Sequence, residues 1–219
     1  PYHGIKTRSR RILFVIDIST SMADNLTIDH ENREAVEEFR KRYGDLDQTK
    51  IEIARNELID MVEGLKSFAK FNIITFNSKA HSWRKTMVKA TGGNKSKAIK
   101  MLARLTPATV APTGGLRRAG TIQGRTNTFE ALNACFGVFT GDEVDKKAFK
   151  TEADTVFFLS DGNPSTGRIT QPQALTDYVA TVNKRARLVI HTVSFGNANK
   201  QLMAIIAQQS GGQFVMIGN

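Results

Sequence analysis

Cysteine is nearly absent from this sequence, which limits how the chain can be cross-linked. Cys135 is the only cysteine among the 219 residues, so an internal disulfide and any zinc site built from several cysteines are excluded. Cys135 lies among apolar residues at helical spacing, which favours a small core residue over a reactive thiol. The length suits one α/β domain spanning residues 1–219 with a sizeable hydrophobic core, and is short for two domains.

Long apolar runs are also missing. An apolar run such as residues 12–16 is far too short to cross a bilayer, and the N-terminus lacks the character of a signal peptide. Because the chain begins with Pro1 rather than methionine, we expect it to be a fragment of a longer protein. Its compartment and its oligomeric state are therefore left open.

Acidic residues are missing from a long internal stretch. None occurs between Glu63 and Glu130, and the net charge of the whole chain is +10. The basic residues of this stretch are Lys66, Lys70, Lys79, Arg84, Lys85, Lys89, Lys95, Lys97, Lys100, Arg104, Arg117, Arg118 and Arg125. Such a tract is either a well-solvated basic face or a surface that attracts acidic proteins, nucleic acid or anionic surfaces.

Familiar catalytic motifs are absent. The sequence has no G-x-S-x-G elbow and no Walker lysine motif, and its histidines, at positions 3, 30, 81 and 191, are scattered. His191 alternates with apolar neighbours in a strand pattern, which is typical of a core residue. We therefore predict that the chain is not an enzyme. A metal-assisted hydrolase is the alternative, because a bound Mg²⁺ can activate water.

What is present is an alternation of strand and helix patterns. Strands are predicted at 11–17, 71–76, 81–85, 155–159, 188–195 and 213–217. Helices are predicted at 31–43, 50–68, 95–105, 128–139, 171–187 and 200–209. This order predicts a doubly wound α/β fold: a mostly parallel central sheet, one antiparallel edge strand and helices on both faces. Ligands of such folds bind beyond the strand ends, near the topological switch point.

Two long segments interrupt this alternation. Residues 23–49 form an acid-rich insertion between the first strand and its crossover helix, and residues 107–124 form a loop rich in glycine, proline and threonine. Long loops in compact α/β domains are often functional. The insertion therefore either shapes a binding face or folds over it and masks it.

Oxygen-bearing side chains follow two of the predicted strands and precede one helix. Asp17, Ser19 and Ser21 end the first strand, Thr126 lies in G-R-T-N-T before the helix at 128–139, and Asp161 follows the strand T-V-F-F-L. Carboxylate and hydroxyl oxygens suit a hard cation such as Mg²⁺. Serine and threonine in such places also cap helices and form turns, but the five residues together predict a metal site.

These motifs resemble those of the von Willebrand factor type A domains and their metal-ion-dependent adhesion site. D-x-S-x-S, the threonine of G-x-T-x-T and the aspartate of S-D-G occur in the family's order, and the resemblance spans roughly residues 11–217. It implies direct metal ligation by Ser19, Ser21 and Thr126, with Asp17 and Asp161 acting through metal-bound water. It also implies a vacant coordination position that an acidic side chain of a protein partner fills.

The resemblance thus predicts a metal-dependent protein-interaction or adhesion module that binds Mg²⁺, with Mn²⁺ or Ca²⁺ as alternatives. Arg117, Arg118 and Arg125, near the predicted site, are candidate partner-binding residues. The chain departs from the family pattern in the insertion at 23–49 and in lacking the family's C-terminal helix after the last strand.

Two other functions remain open at this point. One is association with nucleic acid through the basic tract, for which Trp83 is the obvious stacking candidate, although it is better placed to pack against the edge strand. The other is a regulatory domain within a larger multidomain assembly.

Overall fold

A computed structural model describes residues 5, 9–44, 46–105, 124–137, 151–196 and 200–218 of the chain. The predicted loop at 107–124 falls outside these residues except for Gly124, and so do Arg117 and Arg118. The last two residues of the helix predicted at 128–139 are outside them as well.

Seven strands of the described part form one sheet with the order β3-β2-β1-β5-β6-β7, and β4 also pairs with β2. The strands are β1 (Arg11–Asp17), β2 (Lys70–Phe76), β3 (Ala80–Ser82), β4 (Val88–Lys89), β5 (Thr155–Ser160), β6 (Val189–Phe195) and β7 (Phe214–Ile217). Only β3 and β4 run antiparallel to their neighbour. The mostly parallel sheet with an antiparallel edge is confirmed, but the predicted edge strand at 81–85 is replaced by two shorter ones.

Helices cover both faces of this sheet, as the sequence predicts. They are α1 (Arg33–Tyr43), α2 (Lys50–Gly64), α3 (Gly92–Leu102), α4 (Thr128–Cys135), α5 (Pro172–Ala186) and α6 (Lys200–Gln209), with a short 3₁₀ helix at Thr20–Ala23. Buried side chains of α1, α2 and α3 share one hydrophobic cluster, and those of α4, α5 and α6 share another. Among the described residues, no helix is long and apolar enough to span a lipid bilayer.

Strand β1 is buried on both sides because it lies at the centre of the sheet. Phe14 and Ile16 contribute to the first cluster, while Leu13 and Val15 contribute to the second. This burial explains why β1 is a continuous apolar run rather than an alternating one. The chain continues to β2 on one side of β1 and to β5 on the other, so the switch point lies beside the carboxyl end of β1.

The acidic insertion leaves and re-enters the domain at one point. Asn25 pairs with Thr49 in an isolated antiparallel bridge. The Lys50 amide donates to the Asp24 carbonyl over 3.0 Å. The two ends of the insertion therefore lie side by side. Helix α2 begins next to the end of the 3₁₀ helix, although 26 residues separate the two in sequence.

The insertion is packed into the domain by both polar and apolar contacts. Arg42 donates to both carboxylate oxygens of Glu57 on α2, at 2.9 and 3.2 Å, and the Tyr43 hydroxyl donates to Glu57 over 2.6 Å. Buried apolar side chains of the insertion join the first hydrophobic cluster: Leu26, Ile28 and Phe39. These contacts give the insertion a fixed place against α2.

The core interpretations of Cys135 and His191 are both confirmed. Cys135 is fully buried, its thiol donates to the Ala131 carbonyl, and burial raises its pKa. His191 stacks on Phe157, and its Nδ1 accepts a hydrogen bond from the Gln213 amide over 3.0 Å. Burial lowers the pKa of His191, so this histidine belongs to the packed interior.

Candidate metal centre

Asp17 lies fully buried at the carboxyl end of β1. One of its carboxylate oxygens accepts the Ser19 amide at 2.8 Å, and the other accepts the Ser160 hydroxyl at 2.6 Å. Burial raises the pKa of Asp17 to about 7, and the nearby charge of Asp161 adds to this shift, while the hydrogen bonds oppose it. A cation at this place would relieve the cost of holding the buried carboxylate ionised.

Three hydroxyl oxygens lie in a row beside this carboxylate. The Ser19 and Ser21 oxygens are 3.3 Å apart, and the Thr126 hydroxyl donates to the Ser19 oxygen over 3.0 Å. Ser21 is held by the 3₁₀ helix that begins at Thr20. Thr126 is held by its amide, which donates to the Ser165 hydroxyl over 2.9 Å. Two loops far apart in sequence thus place their hydroxyls together.

Asp161 completes the group and is paired with a lysine. One of its carboxylate oxygens accepts the Ser21 hydroxyl at 2.8 Å, and the other accepts the Lys50 ammonium at 2.8 Å. The side chain of Asp161 is 2% exposed and that of Lys50 is 16% exposed. The ion pair is therefore nearly enclosed, and it connects the start of α2 with the loop after β5.

The structure brings together all five residues that the sequence singles out. Ser160 and Lys50 also belong to this group, and neither was predicted from the sequence. Ser160 has a local signal, because it directly precedes Asp161 at the end of a strand. Lys50 has none beyond being the first residue of α2.

The spacing of the hydroxyl oxygens fits a small hard cation. Neighbouring ligands of an octahedral Mg²⁺ at 2.0–2.1 Å stand about 2.9 Å apart, and ligands of the larger Ca²⁺ stand at similar or somewhat greater separations. The observed separations are 3.0 and 3.3 Å. Among the described residues, no three His, Cys, Asp or Glu side chains come together. This candidate centre differs from such clusters because hydroxyls outnumber carboxylates, and cation binding by its residues stays a prediction.

Of the three arginines predicted to contact a partner, the structure describes Arg125. It is exposed and directly precedes Thr126, and its amide donates to the Ser78 hydroxyl over 3.1 Å. Arg125 therefore stands beside the candidate centre. Its role in partner binding stays a prediction.

Trp83 packs against the edge of the sheet, as the sequence analysis favours. Its ring stacks on Phe71 with the ring centroids 5.7 Å apart, and the Arg84 guanidinium lies 4.5 Å from the Trp83 centroid. Both ring contacts are made within the domain. The structure thus gives no added support to Trp83 as a platform for nucleic-acid bases.

Gly162 offers a way to disturb Thr126 from the neighbouring loop. A Cβ atom at Gly162 would lie 2.8 Å from the Thr126 hydroxyl and 2.9 Å from its methyl group. We expect Gly162→Ala to displace Thr126 and to weaken Mg²⁺ binding by about tenfold or more, measured by titration calorimetry.

The control for this variant is Gly64→Ala, because a Cβ atom at Gly64 meets nothing within 4 Å. We expect Gly64→Ala to bind Mg²⁺ like the wild type. Equal affinities of the Gly162→Ala and Gly64→Ala proteins would show that Thr126 is not a ligand.

The family profile of the von Willebrand factor type A domain matches residues 47–216. The chain belongs to this family. The matched span begins near the end of the insertion, so β1, which ends at Asp17, and the two serines after it, Ser19 and Ser21, lie outside the span. The structure nevertheless places β1 at the centre of the sheet, next to β2 and β5.

The human inter-alpha-trypsin inhibitor heavy chain H4 is 24% identical to this chain over 176 residues, which cover 80% of this chain and 15% of that protein. Its mouse counterpart is 23% identical over 176 residues, again 80% of this chain, and covers 14% of that protein. The chain thus spans about 15% of the length of these curated relatives.

Two solved structures share the fold. A von Willebrand factor type A protein from Catenulispora acidiphila has a TM-score of 0.63 and 14% identity, covering 95% of this chain and 38% of that chain. Proximal thread matrix protein 1 from the mussel byssus has a TM-score of 0.52 and 19% identity, covering 95% of this chain and 41% of that chain. In the mussel protein, the metal-ion-dependent adhesion site is occupied by zinc.

Proposed function

We propose that this domain binds a protein partner through a divalent cation held by Ser19, Ser21, Thr126, Asp17 and Asp161. The observation that carries the proposal is the row of three hydroxyl oxygens, 3.0 and 3.3 Å apart, beside two buried carboxylates. Domains of this family commonly mediate protein–protein interactions. Both facts support a recognition surface at the switch point of the sheet.

Mg²⁺ is the cation that we propose, and Mn²⁺ and Ca²⁺ remain alternatives. Neutral hydroxyls coordinate the cation without cancelling its charge, and the two carboxylates are shared with protein donors. When bound, the cation supplies a coordination position that attracts an oxygen anion. A glutamate or aspartate side chain of a protein partner has the chemistry to fill that position.

A binding role suits these carboxylates better than a catalytic one. Each oxygen of Asp17 accepts a hydrogen bond from the protein, and so does each oxygen of Asp161. A general base needs an oxygen directed at the proton that it removes. The Ser19 amide and the hydroxyls of Ser160 and Ser21 instead fix the orientation of these carboxylates, as supports of a metal site do.

Selection of peptides from a random display library, in Mg²⁺ and in chelator, tests this function across many candidate sequences at once. We expect peptides that bind only in Mg²⁺ and that share an Asp or Glu whose change to Asn or Gln abolishes binding. The same peptides should fail to bind the Ser21→Ala protein, which lacks one proposed ligand. The control variant is Thr20→Ala, at an exposed position, and the same peptides should bind it as they bind the wild type.

Two other results would contradict this function. Peptides that bind equally in chelator, or that bind without any acidic residue, would contradict cation-dependent recognition of a carboxylate. Selection of strongly acidic peptides whose binding falls steeply with salt and ignores Mg²⁺ would instead assign recognition to the basic tract.

A further inference from the structure

Lys50 brings a positive charge of the protein into the candidate metal centre. Its ammonium lies 2.8 Å from an Asp161 oxygen, and the pair is largely shielded from solvent. The backbone of Lys50 is held on both sides. Thr49 caps α2 together with Glu52, and the Lys50 amide donates to the Asp24 carbonyl. The backbone from which the Lys50 side chain extends is therefore fixed.

The contact with Asp161 offsets an unfavourable helix dipole at the position of Lys50. Lys50 is the first residue of α2, where the helix dipole favours negative charge and opposes a cation. The ammonium is nevertheless placed there, with a carboxylate as its partner. Asp161 is therefore the group that holds Lys50 in the centre.

Both oxygens of Asp161 have donors from the protein. Ser21 donates to one oxygen and Lys50 donates to the other. A carboxylate that supports a cation through water must accept hydrogen bonds from that water. Ser21 can keep its hydrogen bond while its lone pairs ligate a cation. Lys50 has no lone pair in its charged form, and its charge repels a cation beside it.

We propose that Lys50 is a tethered competitor that holds Asp161 in the metal-free domain and yields it when a divalent cation binds. This inference rests on the proposed metal site and concerns how tightly that site binds. The ammonium occupies one oxygen of Asp161, and a cation whose bound water needs that oxygen must displace the ammonium from it. Lys50 thereby lowers the affinity of the centre for its metal.

The proposed competition between Lys50 and the cation is tested by Mg²⁺ titration calorimetry on the wild type and on two neutral variants, Lys50→Met and Lys50→Gln. Both variants should bind Mg²⁺ about tenfold tighter or more, because a charge-assisted hydrogen bond no longer opposes the metal. Lys50→Arg keeps the charge and should bind as weakly as the wild type. Lys97→Met, at an exposed position of α3, removes one charge far from Asp161 in sequence and should leave the affinity unchanged.

The outcomes separate this inference from the function on which it rests. If the wild type binds Mg²⁺ and both neutral variants bind it equally or more weakly, Lys50 supports the site and the proposed competition is overturned. If none of the proteins binds Mg²⁺, the proposed metal site is wrong, and the proposed competition is wrong with it. Melting in chelator provides an independent readout, because loss of the ion pair should lower the melting temperature of both neutral variants but not of Lys97→Met.

Discussion

Saturating Mg²⁺ is expected to raise the melting temperature of the wild-type domain by about 5–10 °C over the same protein in chelator. A ligand at a hundred times its dissociation constant adds about 2.7 kcal/mol to the free energy of unfolding. Each kcal/mol shifts the melting temperature of a domain of this size by roughly 2–4 °C. A cation bound there would also compensate the buried charge of Asp17, so its binding would be linked to the folded state.

Substitution of single residues of the candidate metal centre should remove this gain. Ser21→Ala deletes a hydroxyl that contacts both Ser19 and Asp161, and Asp161→Asn deletes a charge. Both variants should melt at the same temperature in Mg²⁺ and in chelator. Thr20→Ala is the matched control, since Thr20 lies between the two serines, is exposed and donates to the Gly124 carbonyl.

Differential scanning calorimetry of the four proteins distinguishes the alternatives. A gain shared by the wild type, Ser21→Ala and Asp161→Asn would place Mg²⁺ binding elsewhere on the surface. No gain in any of them would contradict a Mg²⁺ site in this domain.

The second large effect is a loss of stability with rising pH in the metal-free domain. The pKa of Asp17 is raised by burial from 3.8 to about 7, so between these values the folded state holds a proton that the unfolded state releases. The stabilising contribution of Asp17 is therefore fully present below about pH 4 and is lost as the pH rises through 7. The shift corresponds to a loss on the order of 4 kcal/mol.

The difference between the wild type and Asp17→Asn isolates this effect from every other titrating group. Urea unfolding at a series of pH values, in metal-free buffer, should show the wild type losing stability relative to Asp17→Asn between pH 4 and 7. Added Mg²⁺ should restore the wild type above pH 7 and leave Asp17→Asn unchanged, because the cation favours the ionised carboxylate.

Asp60→Asn is the control for this measurement, since Asp60 is an exposed carboxylate on α2. Its pH profile should run parallel to that of the wild type. A constant difference between the wild type and Asp17→Asn across the pH range would show that Asp17 is ionised in the fold without a cation.

Strong local patterns were sufficient to predict most of the sheet. The bounds of β1 and α6 agree with those predicted, because a continuous apolar run and a clear helical period define them. The edge was predicted less well. Strands β3 and β4 have three and two residues, too few for an alternating pattern to appear. Helix α2 ends at Gly64 rather than at residue 68, because glycine favours helix ends.

The candidate site was predicted from motifs, but its pairings were not. The pattern D-x-S-x-S identifies residues that stay close in the chain, and their approach to Thr126 and Asp161 follows from the order of the strands. Ser160 meets Asp17 across 143 residues, and Lys50 meets Asp161 across 111 residues. No local pattern carries such contacts, because they depend on how loops from separate strands converge in space.

The insertion rejoins the domain through the bridge between Asn25 and Thr49. This point is therefore a suitable site at which to replace the insertion with another protein domain. Antiparallel partners have Cα atoms about 5 Å apart, so a reporter whose own ends are equally close can be spliced there. The register of β1 and the start of α2 would be unaffected. The graft must still supply the apolar surface that Leu26, Ile28 and Phe39 now bury.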